Sequence, residues 1–348
     1  MRLVDLRQEF VMGESRPFES CHAATLLRLK NGDILTAYFG GVWEKSPDTA
    51  VWMSRRTMEG WLSPRKVCDF PGIPMWNPVL FRLGDNRIRL FFKAGHEISA
   101  WQTWFMDSFD EGISFTEPLE LVQGDESGGR GPVKNKPVRL KNGTILAPAS
   151  TETDTSWEAF TDISADDGKT WFKSESVPLR RVVFDFTGTA NTQLIHRPYE
   201  KHMLFGKGMI QPTLWEDERG VHMLCRTTSS RIFRSDSVDG GHSWSLAYDT
   251  GIPNNNSGID LAQLSDGRLV LAYNPRENYP GYYKGARTPL SIAVSEDGGD
   301  SFTRVADLET EAGSFAYPSI VADQNDRLLM VYTWNRERIC FASFYLEN

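Results

Sequence analysis

The chain has 348 residues and a formal net charge of −8, from 38 lysines and arginines against 46 aspartates and glutamates. That acidic balance argues against nucleic acid as a partner, and no apolar stretch is long enough to span a membrane. Met1–Phe10 lacks the apolar core of a secretion signal, so a cytoplasmic location is expected, and Cys21, Cys68, Cys225 and Cys340 stand singly, as reduced core thiols do and metal ligands do not.

In chain order, the first expected element is a strand near Leu3–Met12. Six hairpins follow, each an apolar-alternating strand, a tight turn and a second strand. They cover Thr25–Gly40, Pro78–Lys93, Pro137–Ser150, Pro212–Arg226, Leu261–Asn274 and Pro318–Trp334. Their turns carry Asn31-Gly32, Asn142-Gly143, Asp266-Gly267 or relatives, the strongest short-range hairpin signal. An octet of the form Ser-x-Asp-x-Gly-x-Ser/Thr-aromatic interleaves with the hairpins. Its copies run Ser108–Phe115, Ser164–Trp171, Ser237–Trp244 and Ser295–Phe302, with a degraded one at Ser54–Trp61. Asp and Gly in these places specify a turn, and the aromatic residue is expected to plug the adjacent sheet. Convincing helical periodicity is absent. Six hairpins with interleaved octets predict an all-β fold, one six-bladed β-propeller over 1–348. The N-terminal strand should pair with a C-terminal strand near Ile339–Leu346 to close the ring. The octets should lie away from any site.

In such a ring, every innermost strand starts at the same end of the central channel. The residues there are His22, then Trp76 and Asn77, then Lys134, Asn135 and Lys136, then Gln211, Asn256 with Asp260, and Tyr317. Pro78, Pro137, Pro212 and Pro318 follow four of these positions directly, and proline is expected to hold the preceding residue extended. Loops leaving the second strands bring Glu44, Asp48, His96, Glu152, Arg226, Asn274, Arg276, Asn335 and Arg336 to the same end. Arg226 and Arg287 precede octets in equivalent ways. A planar guanidinium fork suits a carboxylate, and two aimed at one channel point to an anionic ligand.

With octets, hairpins and arginines together, the chain resembles the sialidase superfamily, whose octet is called the Asp-box. It is most like the BNR-repeat group of predicted neuraminidases. Ser20-Cys-His-Ala-Ala-Thr25, Pro132-Val-Lys-Asn-Lys-Pro137, Asn254-Asn-Asn-Ser-Gly-Ile-Asp260 and Tyr332-Thr-Trp-Asn-Arg336 carry that likeness. The resemblance implies an exo-glycosidase acting on a terminal carboxylated sugar, without a cofactor or metal, as a monomer or small homo-oligomer. It makes Arg226 and Arg287 two of three carboxylate-binding arginines, Tyr317 the nucleophile and Asp48 the acid/base. Trp76, Asn77, Lys134, Lys136, Asp260, Glu152 and Arg336 would line the substrate.

Two positions depart from the family pattern. His22 stands where the first arginine belongs, and Gln211 where a glutamate should activate the tyrosine. An amide cannot accept the phenol proton. Glu152 could replace it if its loop reaches in. Two other readings therefore stand beside hydrolysis. One is β-elimination from a uronate, with His22 or Tyr317 taking the proton acidified by Arg226 and Arg287. The other is glycan binding without catalysis, since octets are specific for fold and not for activity.

Overall fold

The computed structural model describes residues 1–182 and 200–347. Six antiparallel sheets follow one another around a ring, as a six-bladed β-propeller. Blade 1 runs from its inner strand Ser20–Arg28 through Ile34–Gly41 and Ala50–Thr57 to two short outer pieces, Gly60–Trp61 and Arg65–Cys68. The inner strands of blades 2 to 6 are Met75–Arg82, Val138–Arg139, Met209–Asp217, Asp260–Gln263 and Phe315–Ala322. Each pairs with the second strand of the expected hairpin. The ring closes as expected: Arg2–Phe10 is the outer strand of blade 6, paired from Arg2↔Glu347 to Phe10↔Cys340. A parallel pair, Arg180–Val182 with Met203–Phe205, stands between blades 3 and 4. The single helical turn among the described residues is Ile98–Ala100, and none is long and apolar enough to cross a membrane.

A blade has two faces, and each must be covered by its neighbours. The apolar core is accordingly divided into the seams between blades. Leu29, Leu35, Leu80 and Phe92 fill the seam of blades 1 and 2; Val79, Phe91 and Ile145 that of blades 2 and 3. Leu146 and Met223 meet between blades 3 and 4, Leu224 and Leu271 between 4 and 5, Val270 and Met330 between 5 and 6, Tyr38 and Val331 between 6 and 1. Second strands such as Ile34–Gly41 and Ile88–Ala94 are buried along their whole length, the polar side chains of Thr36, Arg89 and Lys93 included.

The octets join third to fourth strands. In Ser164–Trp171, the Ser164 hydroxyl donates to Asp166 at 2.9 Å and accepts the Gly168 N–H at 2.8 Å. Asp166 accepts the N–H groups of Lys169 and Thr170 at 3.0 and 2.9 Å, and the Thr170 hydroxyl at 2.6 Å. Gly168 has φ +82, a conformation that costs a side chain dearly. The other three full copies repeat the Ser and Asp bonds. The degraded copy is a plain hairpin in which Glu59 N–H and Gly60 O bond the Thr57 hydroxyl. Each octet aromatic plugs the seam between its own blade and the one before: Phe115, Trp171, Trp244 and Phe302 in turn, with Trp61 against Phe341. Because third strands run parallel in space to first strands, the octets end up opposite the starts of the inner strands.

Candidate active site

Four inner strands begin with the same defect. The ladder slips by one residue between His22 and Thr25, Trp76 and Val79, Ile210 and Thr213, and Ala316 and Ser319. At each slip a non-glycine residue takes left-handed backbone: Ala23 at φ 55, Asn77 at 41, Gln211 at 53 and Tyr317 at 55. The expectation that proline holds its predecessor extended fails at Asn77, Gln211 and Tyr317. An extra residue in the strand must turn the chain, and positive φ does so while re-aiming the side chain. Such conformations cost on the order of 1–3 kcal/mol each and gather where geometry serves function.

Tyr317 is the centre of the group. Its hydroxyl accepts from Arg226 Nη1 at 2.7 Å and from Gln211 Nε2 at 3.4 Å. Arg226 also donates to Gln211 Oε1 at 3.0 Å and, through Nε, to Asn256 Oδ1 at 3.1 Å. The guanidinium carbons of Arg226 and Arg287 lie 5.6 and 5.7 Å from the Tyr317 ring centre, and Lys134 Nζ lies at 5.8 Å. Arg226 and Arg287 thus share one end of the channel. Burial brings the Arg287 guanidinium down to about 10; nearby Tyr317 pulls the other way, while Arg336 and Arg226 assist. It stays cationic at neutral pH.

His22 packs its ring 4.1 Å from that of Tyr317. Nδ1 meets the Thr333 hydroxyl at 2.8 Å, and Nε2 is buried without a partner. Burial, then the charges of Arg336, Arg287, Lys134 and Arg226, hold the imidazole neutral. With 1% of its surface exposed, His22 lies beneath Tyr317 and does not face the opening. Arg336 pairs with Glu44 at 3.1 Å. Burial raises the carboxyl of Glu152 against the pull of Arg226, and no hydrogen bond joins it to Tyr317 among the described residues. Asp48 is exposed and accepts the Val42 N–H at 3.1 Å, closing its own loop, without a bond to Tyr317 or the arginines.

Several residues expected to line the substrate do something else. Trp76 is buried edge-on against Trp101 and Phe39, its indole N–H on Gly95 O at 2.9 Å. Lys134 is buried and donates to Asn135 Oδ1 at 2.7 Å, Ile259 O at 3.1 Å and the Pro318 carbonyl. Burial lowers its ammonium to about 7, opposed by Asp260 and assisted by Lys136 and Arg226. Asn135 donates to Pro212 O at 2.9 Å and Gln211 O at 3.2 Å. Lys136 bonds Asp260 and Leu261 O, both at 2.8 Å, while Asp260 also accepts from Thr213 at 2.8 Å and Ile320 N–H at 2.9 Å. Residues 134–136 form an axial hub tying blade 3 to blades 4, 5 and 6. The inner strand of blade 3 is two residues long because the chain before it fills the channel instead. Asn77 is buried with its amide bonded to no described residue.

A family model described as a BNR repeat-like domain matches residues 32–330. The chain belongs to that family. Among solved structures, a protein of unknown function from Dyadobacter fermentans is similar at 18% identity and TM-score 0.72, over 98% of this chain and 99% of that one. The intramolecular trans-sialidase from Ruminococcus gnavus, complexed with oseltamivir carboxylate, gives 12% identity and TM-score 0.69, over 97% of both chains. Trypanosoma rangeli sialidase, in complex with the inhibitor DANA, gives 12% and 0.69, and the alignment covers 94% of this chain and 55% of that one. These likenesses establish a sialidase-type propeller fold. No curated protein matches the chain.

The BNR repeat-like ring also uses residues that sequence reasoning passed over. Arg226 lies 5.8 Å from the Trp157 ring, a contact with no sequence signal. Gly258 packs against Tyr317 and Lys134: a Cβ there would meet the tyrosine ring at 3.1 Å and the lysine stem at 3.3 Å. Its glycine, between Asn256 and Asp260, was the available hint.

Proposed function

We propose that the chain is an enzyme that cleaves the glycosidic bond of a terminal carboxylated sugar. The observation that carries this is Arg287. Its guanidinium is largely enclosed over Tyr317 and has no acceptor among the described residues. An enclosed, unpaired cation is costly, and an anionic ligand relieves it. Arg226 Nη2 likewise bonds no described residue, and Arg336 adds a third cation to the field around His22 and Arg287. The neutral part of the sugar would face Asn77 and the mouth.

In hydrolysis, the Tyr317 oxygen attacks the anomeric carbon as its proton passes, directly or through water, to the departing aglycone oxygen, and a second water then cleaves the tyrosyl–sugar bond and returns a proton to the phenol. Both described groups that bond the phenol oxygen donate to it, so negative charge arising there meets a guanidinium at 2.7 Å. Among the described residues no carboxylate bonds the phenol to remove its proton, and slow turnover of ordinary α-sialosides is expected. A second reading, β-elimination from a uronate, is favoured by the neutral His22 imidazole against Tyr317. There Tyr317, as the phenolate, takes the proton α to the carboxylate, the electron pair forms a ring double bond, the glycosidic C–O bond on the β carbon breaks, and the departing oxygen takes the proton from the phenol.

Incubation with sialyl oligosaccharides and with oligosaccharides containing a 4-O-glycosylated glucuronate, followed by mass spectrometry, separates the two: hydrolysis adds one water and elimination adds none. Arg287→Met should lower kcat/KM by one to two orders of magnitude, the worth of a charge-assisted pair at about 2–3 kcal/mol. Full activity in that variant, or acidic-glycan binding without turnover, overturns the proposal.

A further inference from the structure

The loop between the second and third strands of blade 5, residues 274–289, is far longer than its counterpart in blade 4, residues 228–230. It leaves from the site end of the ring and leads directly into Arg287. It is pinned by side-chain amides. Asn274 holds Pro289 O at 2.8 Å, Asn278 holds Thr228 O at 3.0 Å, Asn256 holds Tyr283 O at 2.7 Å, and Asn255 holds Ala286 O. Its tip closes on itself, Tyr282 N–H to Tyr279 O and Tyr279 N–H to Lys284 O, both at 2.9 Å. Yet this fixed loop exposes three tyrosines: Tyr279 at 53%, Tyr282 at 63% and Tyr283 at 47%. The ring of Tyr283 is braced on Gly206, where a Cβ would come within 2.7 Å of it.

Large rings left in water on an ordered loop mark a binding surface. The patch is continuous with the charged site, since Asn256 bonds both the Tyr283 carbonyl and Arg226, and the loop ends in Arg287. An aromatic face beside a phenol hydroxyl matches a pyranose, which has an apolar C–H face and a hydroxyl rim. We infer that Tyr279, Tyr282 and Tyr283 form a platform for the sugar next to the carboxylated one, so that the substrate is an oligosaccharide. This rests on the reading that Arg226 and Arg287 hold the acidic sugar.

The test is titration calorimetry in a Tyr317→Phe background, which prevents turnover, with N-acetylneuraminate, 3′-sialyllactose and lactose as probes, and with glucuronate and a glucuronate-terminated trisaccharide as the second acidic pair. The acidic oligosaccharide should bind about tenfold more tightly than its monosaccharide. The Y279A/Y282A variant should lose that advantage, and Y279F/Y282F should keep it. An unchanged preference in Y279A/Y282A, or no preference to begin with, overturns the platform. If lactose binds as well as sialyllactose, Arg287→Met changes nothing and Y279A/Y282A abolishes both, the platform stands and the carboxylate reading falls.

Discussion

Gln211 meets the Tyr317 hydroxyl with an amide N–H at 3.4 Å, in the place where a base would have to stand. Gln211→Glu puts a carboxylate there, beside Arg226 Nη1, which already reaches position 211 at 3.0 Å. For hydrolysis through a tyrosine nucleophile, this change should raise kcat on an aryl α-sialoside, toward the roughly 10²- to 10⁴-fold that proton transfer supplies. Steady-state kinetics with that substrate read the outcome; in elimination, followed instead on a 4-O-glycosylated glucuronate, the same change should lower kcat because new negative charge repels the substrate carboxylate. Arg226, Arg287 and Tyr317 were legible because their places relative to strands and octets fix which end of the ring they reach. Lys134, Lys136 and Asp260 were misread for a definable reason. A polar residue at an inner-strand start can face the opening or the channel axis, and only the shortness of Val138–Arg139 shows that residues 134–136 took the axis. His22 was placed at the right end but at the wrong depth.

The octet is a local device with a titratable centre. In Asp110, the hydroxyl and N–H of Ser114 hold the carboxyl down to about 2. In Asp166 and Asp297, slight burial works upward but the hydroxyls and N–H groups of Thr170 and Ser301 prevail, again giving about 2. An unfolded aspartate titrates near 4, so the octets stabilise the fold fully above that pH and lose the contribution as pH falls toward 2. Asp297→Asn should lower Tm at pH 7 by about 2 °C for roughly 1 kcal/mol and flatten the fall in stability between pH 4 and pH 2. Circular dichroism melts across that range check it; a variant as acid-labile as the parent contradicts the assignment. The octets were readable in sequence because their bonds are made within eight residues. The bulges were not, because a slipped ladder depends on the partner strand.

The six seams share out the core, so the molecule has no single centre to nucleate on, and closure falls to blade 6. Its outer strand is held by Arg2 on Glu347 at 2.7 Å and by Gln8 on the Tyr332 hydroxyl at 3.0 Å, and Glu9 reaches blade 1 at Trp61 Nε1, 3.0 Å away. Deleting residues 2–10 should cost about 5 kcal/mol, lower Tm by at least about 10 °C, and leave a long unpaired edge that self-associates. Calorimetry with size-exclusion chromatography measures both effects, and an unchanged melt with a monomeric profile contradicts it. The ring and its closing pair were foreseen because hairpin spacing repeats along the chain.

That pairing of first and last strands also sets a schedule on the ribosome. The partner of residues 2–10, at 338–347, is made more than 300 residues later, a wait of roughly 20–60 s at ordinary elongation rates. Tyr317 is translated late in the same interval, while Gln211 and Arg226 are made well before it. The nascent protein therefore holds part of an arginine-lined cleft with no phenol in it, beside a strand without a neighbour, until blade 6 has been made.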